Sequence, residues 1–167
     1  MKHRGFTLME LLVVIAAVGV IAGIGIPIAR SVLAKSREAA CLNNLRSLGV
    51  GLQSYLQEHQ QILPAMAGIR SSKTEETPVL DTVLLPYLDG PEAFKCPQDS
   101  KDYEKTGSSY WWNELQNGKH VSKLYLMGIP GDRIPLIADK ASWHPSGSNF
   151  LYPDMSSSNK LRFAVGN

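Results

Sequence analysis

The feature that most constrains this chain is an apolar stretch near its N-terminus. Between Phe6 and Ala29, 24 residues contain a single charged side chain, that of Glu10. A helix rises about 1.5 Å per residue, so this segment reaches about 36 Å and crosses a hydrocarbon core of about 30 Å with some tilt. Lys2 and Arg4 precede the stretch, and basic flanks mark the cytoplasmic side of a membrane segment. The sequence therefore predicts a transmembrane helix whose N-terminus stays in the cytoplasm.

Composition excludes several other classes of protein. The 167 residues include two cysteines, too few for a disulfide-dense miniprotein, and no second apolar run is long enough to span a membrane. Residues 1–61 carry a net charge of +3 and residues 62–167 one of −1, without a dense basic stripe. Nucleic acid is therefore not an expected partner. The apolar run ends at Ala29 without an A-x-A cleavage site, so we expect it to be retained.

Residues 5–15, GFTLMELLVVI, closely resemble the class III signal of type IV pilins and type II secretion pseudopilins. The resemblance implies that a prepilin peptidase cuts between Gly5 and Phe6 and that Phe6 is then N-methylated. Glu10 becomes the fifth residue of the mature chain, where this family keeps a glutamate. The implied partners are identical or related pilin-like subunits, the peptidase/methyltransferase, an inner-membrane assembly platform and a secretion ATPase.

Glu10 is costly in hydrocarbon unless it finds a cationic partner. Cleavage would give Phe6 a free α-amine, which is protonated near neutral pH. One interpretation pairs Glu10 with the Phe6 amine of a neighbouring subunit and so fixes the register of assembly. The other places Glu10 at the cytoplasmic headgroups, where it is merely tolerated. The sequence leaves both open.

The apolar periodicity continues beyond the membrane segment. Residues spaced by four and three predict one face of a helix that packs on a globular head; they are Cys41, Leu45, Leu48, Leu52 and Tyr55. About two heptads are too few to favour a coiled coil. We expect one helix from about Phe6 to about Gln61, ended by Pro64. The resemblance implies that this helix partly unwinds at Pro27 upon assembly.

The predicted organisation is a cleaved leader over residues 1–5, a transmembrane helix over 6–29, an amphipathic stalk helix over 30–61 and a globular head over 62–167. In the head, a short helix is predicted over 80–88 and a compact turn over 94–99. Gly, Pro, Asp and Ser turns separate predicted strands at 109–113, 123–128, 134–139, 149–152 and 161–165. The fold class is therefore α+β, pilin-like, with a small antiparallel sheet against the helix.

Two cysteines, Cys41 and Cys96, would both lie outside the cytoplasm, where thiols oxidise. A disulfide between them is expected; two free thiols or a metal site are the alternatives. No histidine lies at zinc-finger spacing from either cysteine, so no metal is assigned. Major pseudopilins bind calcium in a C-terminal loop, a resemblance that makes scattered carboxylates weak calcium candidates, although such loop carboxylates are usually solvated. These are Asp99, Asp102, Asp132 and Asp139. No other cofactor is expected.

A second resemblance covers the head. Segments including CLNNLR from Cys41 and FKCPQD from Phe94 are similar to those of pilin-like proteins abundant in planctomycetes and verrucomicrobia. That group often carries a His-x9-Asp-Gly motif, which His144 and Asp154 match, except that Met155 replaces the glycine. No catalytic residues are assigned, because no nucleophile elbow or metalloprotease motif accompanies His144.

The sequence therefore predicts a structural subunit of a type II secretion-like pseudopilus, anchored in a bacterial inner membrane with a periplasmic head before it joins a filament. A type IV pilin for adhesion, motility or DNA uptake is the alternative within the family. An alternative of another class is a monomeric membrane-anchored binding module. The three tryptophans are expected in the core of the head or at its rim; they are Trp111, Trp112 and Trp143.

Overall fold

A computed structural model describes residues 7–162 of the chain. The chain divides into two units, Met1–Ser36 and Arg37–Asn167. Helix α1, Leu8–Glu58, contributes to both. The predicted α+β architecture is confirmed: a long N-terminal helix is accompanied by a small antiparallel sheet.

In the first unit, the apolar side chains of α1 are exposed. Leu8 is 82% exposed and Val20 65%. Within residues 7–162, α1 is the one helix that is long and apolar enough to cross a membrane. The helix continues through Pro27, although proline removes one N–H donor and crowds the preceding turn. Unwinding at Pro27 upon assembly stays a prediction.

In the second unit, α1 supplies one wall of the core. The buried stripe comprises Cys41, Leu45, Leu48, Leu52 and Leu56. It differs from the predicted stripe at its last position, because Leu56 is buried and Tyr55 is only partly buried. Tyr55 instead stacks on His59, with 3.8 Å between ring centroids.

Helix α1 ends three residues before the predicted Gln61. Gln60 takes a left-handed conformation with φ 53°, and the Gln61 N–H donates to the Leu56 carbonyl at 2.8 Å. This six-to-one hydrogen bond belongs to the Schellman type of helix ending, in which the left-handed residue is usually glycine. The missing glycine explains why the end was predicted too late.

Within the described residues, six short strands form two sheets. Their bounds are β1 Tyr110–Trp112, β2 Tyr125–Leu126, β3 Ile129–Pro130, β4 Ile137–Asp139, β5 Phe150–Leu151 and β6 Ser157–Ser158. The larger sheet has the order β1-β4-β5-β6 and is antiparallel throughout, whereas β2 and β3 form a separate hairpin. A Cβ at Gly49 would lie 3.1 Å from Leu151 Cδ1, so α1 and β5 approach closely there.

The predicted strand over 123–128 is confirmed only at Tyr125–Leu126, because the chain turns back directly after it. Met127 and Gly128 both have positive φ, at 46° and 85°, and turn the chain back as the two-residue loop of the β2–β3 hairpin. Residues 161 and 162 are not in a strand, and the rest of the predicted strand over 161–165 lies outside the described residues. Strand β6 was not predicted, because two serines carry no hydrophobic alternation.

Short helices fill the connections. Their bounds are α2 Leu80–Leu84, α3 Asp102–Thr106 and the 3₁₀ turns Leu85–Tyr87, Pro91–Phe94, Glu114–Gln116, Val121–Lys123 and Gly131–Arg133. Helix α2 with the turn after it corresponds to the predicted helix over 80–88. Trp112 is fully buried in the core, and its indole N–H donates to Asn117 Oδ1 at 2.7 Å. Trp111 and Trp143 are half-buried.

A disulfide joins Cys41 of α1 to Cys96, which follows the 3₁₀ turn Pro91–Phe94. Both cysteines are fully buried. Nearby, the Asn44 amide donates to the Lys95 carbonyl at 2.7 Å, and the Cys96 N–H donates to Ser109 Oγ at 2.9 Å. The turn over 94–99 is thus held to α1 by the disulfide and the Asn44 hydrogen bond, and to Ser109, directly before β1, by the hydrogen bond from Cys96.

We predict that Leu48→Ala lowers the free energy of unfolding by about 2–5 kcal/mol, since it empties a fully buried position in the core. Leu115→Ala is the matched control, because Leu115 is 61% exposed and should change stability by less than about 0.5 kcal/mol. Denaturant titration of the full chain in detergent micelles measures both. Equal effects of the two substitutions would contradict the assignment of the core.

Cys96→Ser should lower the unfolding free energy by at most about 4 kcal/mol, the loop-closure value for 55 residues. Cys41→Ser should give the same loss, because either substitution opens the same loop. Non-reducing peptide mapping should find the two cysteine-containing peptides linked in wild-type protein. Free alkylation of both thiols in protein taken from its native envelope would refute the bond.

Candidate functional site

The start of α1 is closed by a reciprocal pair of side chains. The Thr7 N–H and hydroxyl donate to Glu10 Oε2 at 2.8 and 2.9 Å, and the Glu10 N–H donates to Thr7 Oγ1 at 3.2 Å. This is a capping box, with Thr7 as N-cap and Glu10 three residues later. The Thr-x-x-Glu spacing from Thr7 to Glu10 is the signal in the sequence that indicates this helix start.

Glu10 therefore already has hydrogen-bond donors within its own chain. Its side chain is exposed, and so are the neighbouring side chains of Leu8 and Met9. A carboxylate at the exposed start of an apolar helix remains accessible to a second partner. Gly5 and Phe6, the predicted processing residues, lie outside the described residues.

A second cluster lies inside the head. His144 Nε2 is 3.4 Å from Cys96 Sγ and 3.3 Å from Asp139 Oδ2. The side chains of His144 and Asp139 are both fully buried. The candidate ligand atoms of Cys41, Cys96 and His144 all lie within 4.8 Å of one another. Sequence spacing did not reveal this cluster, because His144 is 48 residues from Cys96.

Burial controls the protonation of the two ionisable groups in this cluster. Burial raises the pKa of Asp139 to about 7, even though a hydrogen bond from the Asn149 N–H acts in the opposite direction. Burial also lowers the pKa of His144, against the influence of the nearby Glu38 carboxylate. Near neutral pH, burial therefore favours the state in which both side chains are uncharged over the ion pair of an Asp139 carboxylate and a His144 imidazolium.

The calcium candidates do not come together. Within residues 7–162, no three acidic side chains are close enough to share an ion. Asp99 instead accepts hydrogen bonds from Ser109 Oγ at 2.6 Å and from the N–H groups of residues 101–103. Partial burial raises the pKa of Asp99, but these hydrogen bonds outweigh it and hold the pKa below its usual value. Asp132 is exposed and Asp139 faces His144. Calcium binding stays a prediction without structural support.

His144 and Asp154 of the His-x9-Asp pattern have different partners. Asp154 accepts hydrogen bonds from the Ser156 N–H and hydroxyl and forms an ion pair with Arg162 at 2.9 Å. Met155, which replaces the expected glycine, has φ 59°. The tight turn therefore forms with methionine in the left-handed conformation that glycine adopts more easily.

The head also contains an apolar cavity of about 1000 Å³. The apolar side chains lining it include Trp111, Trp112, Leu126, Ile129, Phe150 and Leu161. The polar groups beside them include Lys140 and Asp102. Cavities of this size and character accommodate small apolar ligands in other proteins.

Comparison with known proteins concerns mainly the N-terminal segment. Residues 1–26 match the family described as the prokaryotic N-terminal methylation motif. Over 57 residues, 34% of the chain, the sequence is 37% identical to the type IV major pilin protein PilA of Myxococcus xanthus. The match spans 26% of that protein's length. No solved structure matches the chain.

The motif match, the pilin similarity and the apolar helix agree with one another. They support an inner-membrane-anchored protein, since a class III signal precedes a helix long enough to span a bilayer. The protein thus carries the N-terminal methylation motif and class III signal peptide of the type IV pilin-like proteins.

Proposed function

We propose that this protein is a structural subunit of a type II secretion-like pseudopilus. In this role the precursor is cleaved between Gly5 and Phe6, methylated at Phe6 and assembled into a helical filament. The observation that carries the proposal is the N-terminal methylation motif, which runs directly into an apolar helix. The role is structural rather than catalytic, and the energy for assembly comes from a separate ATPase.

The exposed apolar side chains of α1 support the proposal that this helix packs against other subunits in a filament. Helix α1 exposes large apolar residues from Leu8 to Leu33, and such a surface needs cover from lipid or protein. A bilayer covers it before assembly. In a filament, the same surface is covered by the corresponding helices of neighbouring subunits.

Glu10 supplies the polar contact in this proposal. An incoming subunit places its Glu10 carboxylate against the Phe6 α-amine of a neighbour, so that each charge leaves the bilayer with a partner. Because the pair forms at one axial position, it sets the register between subunits. The capping box leaves the carboxylate exposed and therefore available for this contact.

The proposed localisation follows from the charges and cysteines. Lys2 and Arg4 favour a cytoplasmic N-terminus, and the head then faces the periplasm. An oxidising periplasm favours the Cys41–Cys96 bond. The proposed partners are other pilin-like subunits, the prepilin peptidase/methyltransferase and an inner-membrane assembly platform with its ATPase.

Two other functions have supporting observations. The similarity to a type IV major pilin favours a surface pilus, and imaging of tagged filaments inside or outside the outer membrane separates this from a pseudopilus. The apolar cavity in the head favours a monomeric membrane-anchored binding module. In that case, cleaved protein stays in the membrane fraction and no filaments form.

Gly5→Val should leave the precursor uncut and membrane-bound, because a bulky side chain obstructs the peptidase at the scissile bond. Gly19→Val is the matched control: it makes the same change within the apolar segment that follows the leader, and a Cβ there contacts nothing within 4 Å. Intact-mass analysis should show that wild type and control lose residues 1–5 and gain one methyl group. A mature protein that still begins at Met1 in a peptidase-positive host would sink the proposal.

Glu10→Gln should spare membrane insertion and cleavage but reduce filament yield at least about tenfold, the effect of losing an interaction of about 1.4 kcal/mol. Glutamine also serves in capping boxes, so the substitution retains the helix start and removes the charge. Glu58→Gln, the same change at the exposed end of α1, should assemble normally. Filaments sheared from cells are quantified by electron microscopy and immunoblotting. Wild-type filament yield from cleaved Glu10→Gln protein would refute the pairing role.

A further inference from the structure

We propose that the chain in its reduced state binds one Zn²⁺ ion through Cys41, Cys96 and His144, with Asp139 as the fourth ligand. The same residues surround the disulfide when the chain is oxidised. The site is independent of the proposed filament role, because all four residues belong to the second unit, 37–167.

The ligand atoms of Cys41, Cys96 and His144 already lie within 4.8 Å of one another, and Asp139 Oδ2 lies next to the His144 imidazole. In a tetrahedral zinc site with bonds of about 2.0–2.3 Å, ligand atoms lie about 3.3–3.8 Å apart. The separations of 3.4 Å from His144 Nε2 to Cys96 Sγ and 3.3 Å to Asp139 Oδ2 fall in this range. Once the disulfide is absent, the two sulfurs can separate to the same distance.

The imidazole of His144 faces the other proposed ligands through its Nε2 atom. His144 is buried, and this Nε2 lies 3.4 Å from Cys96 Sγ and 3.3 Å from Asp139 Oδ2. A cysteine sulfur is only a weak hydrogen-bond acceptor. In the reduced chain, one Zn²⁺ bound at Nε2 would bring the imidazole, the two thiolates and the carboxylate into a single coordination sphere.

The donor set selects zinc by its chemistry. Two thiolates and an imidazole suit Zn²⁺, whereas Ca²⁺ and Mg²⁺ require oxygen ligands. Two thiolates and one carboxylate give a total ligand charge of −3, so the ion leaves one net negative charge. Four protein ligands and complete burial describe a closed, structural site.

The four ligands lie on different parts of the head. Cys41 lies on α1, Cys96 follows a 3₁₀ turn, Asp139 ends β4, and His144 lies in the connection between β4 and β5, where it forms a bridge with Gly147. The Cys96 N–H is fixed by Ser109 Oγ, and the Asn149 N–H fixes Asp139 Oδ2 at 2.7 Å. Hydrogen bonds therefore position Cys96 and Asp139, and the bridge to Gly147 positions the backbone of His144.

Zinc binding and disulfide formation exclude each other. A newly made chain carries two thiols, and binding of Zn²⁺ releases both protons. Oxidation instead removes two electrons and two protons and joins the sulfurs, so that neither remains a thiolate ligand. Zinc should accordingly delay formation of the Cys41–Cys96 bond.

The test uses the full chain in detergent micelles. A trialkylphosphine and one water reduce the disulfide to two thiols and give the phosphine oxide, which is removed without air. Zn²⁺ alone is then titrated in competition with a chromophoric chelator. We expect one Zn²⁺ per reduced chain and none per oxidised chain. His144→Ala should weaken binding at least about 100-fold, and Asp139→Asn at least about 10-fold.

His59→Ala is the matched control, because His59 is exposed and outside the cluster. It should bind zinc as tightly as wild type. Equal affinity of His144→Ala and wild type would overturn the site, and unchanged affinity of Asp139→Asn would overturn the fourth ligand.

A spectroscopic measurement on the unmodified chain covers the case in which a variant fails to fold. Co²⁺ added to reduced wild-type protein should show thiolate-to-cobalt charge transfer and the intense visible bands of a tetrahedral ion, and Zn²⁺ should abolish both. Zinc should also slow air oxidation of the two thiols at least about tenfold. Absence of tetrahedral cobalt spectra in the reduced chain would overturn the proposal.

Discussion

The rest of the structure depends on one continuous helix, α1, whose first half exposes apolar side chains and whose second half packs one face into the core of the head. A helix satisfies its own backbone hydrogen bonds, and this allows α1 to enter hydrocarbon in its first half. The side chains there are apolar on every face and exposed. From Cys41 onward, one face is buried and the others are polar, which suits a helix packed on a sheet. Short strands suffice beyond this point, because α1 provides much of the core that a larger sheet would otherwise have to provide.

A polar group at the start of such a helix must have a partner in every environment it visits. In a single chain, Thr7 provides two donors to the Glu10 carboxylate. Those donors satisfy the carboxylate without neutralising its charge. A partner that brings a positive charge therefore adds stabilisation that Thr7 cannot give. This difference is the physical reason for proposing that subunit contact, and not the local helix cap, uses the charge of Glu10.

The sequence was sufficient wherever periodicity or a local motif determined the structure. Spacing identified the buried face of α1 because every member of it lies on one helix. It failed at Gln60 and Met127, where residues other than glycine take left-handed conformations. It also failed at His144, because the connection between β4 and β5 brings this residue to Cys96 from 48 positions away. Ligand spacing along a chain detects sites within one motif; a site assembled from a helix, a turn and a strand end leaves no such pattern.

In the proposed filament role, the position of the disulfide matters mechanically. Cys41 is the first fully buried residue of the stripe on α1. A covalent bond there fixes the 94–99 turn to the N-terminal end of the packed face, and that is where separation of helix and head would begin under tension. Hydrogen bonds from Ser146 and Asn159 to Glu38 add polar contacts about one turn earlier. The N-terminal end of the packed face is therefore held by a covalent bond, which does not open as a hydrogen bond can. The helix face from Leu45 to Leu56 can then separate from the rest of the core only in one cooperative step, and not residue by residue from its end.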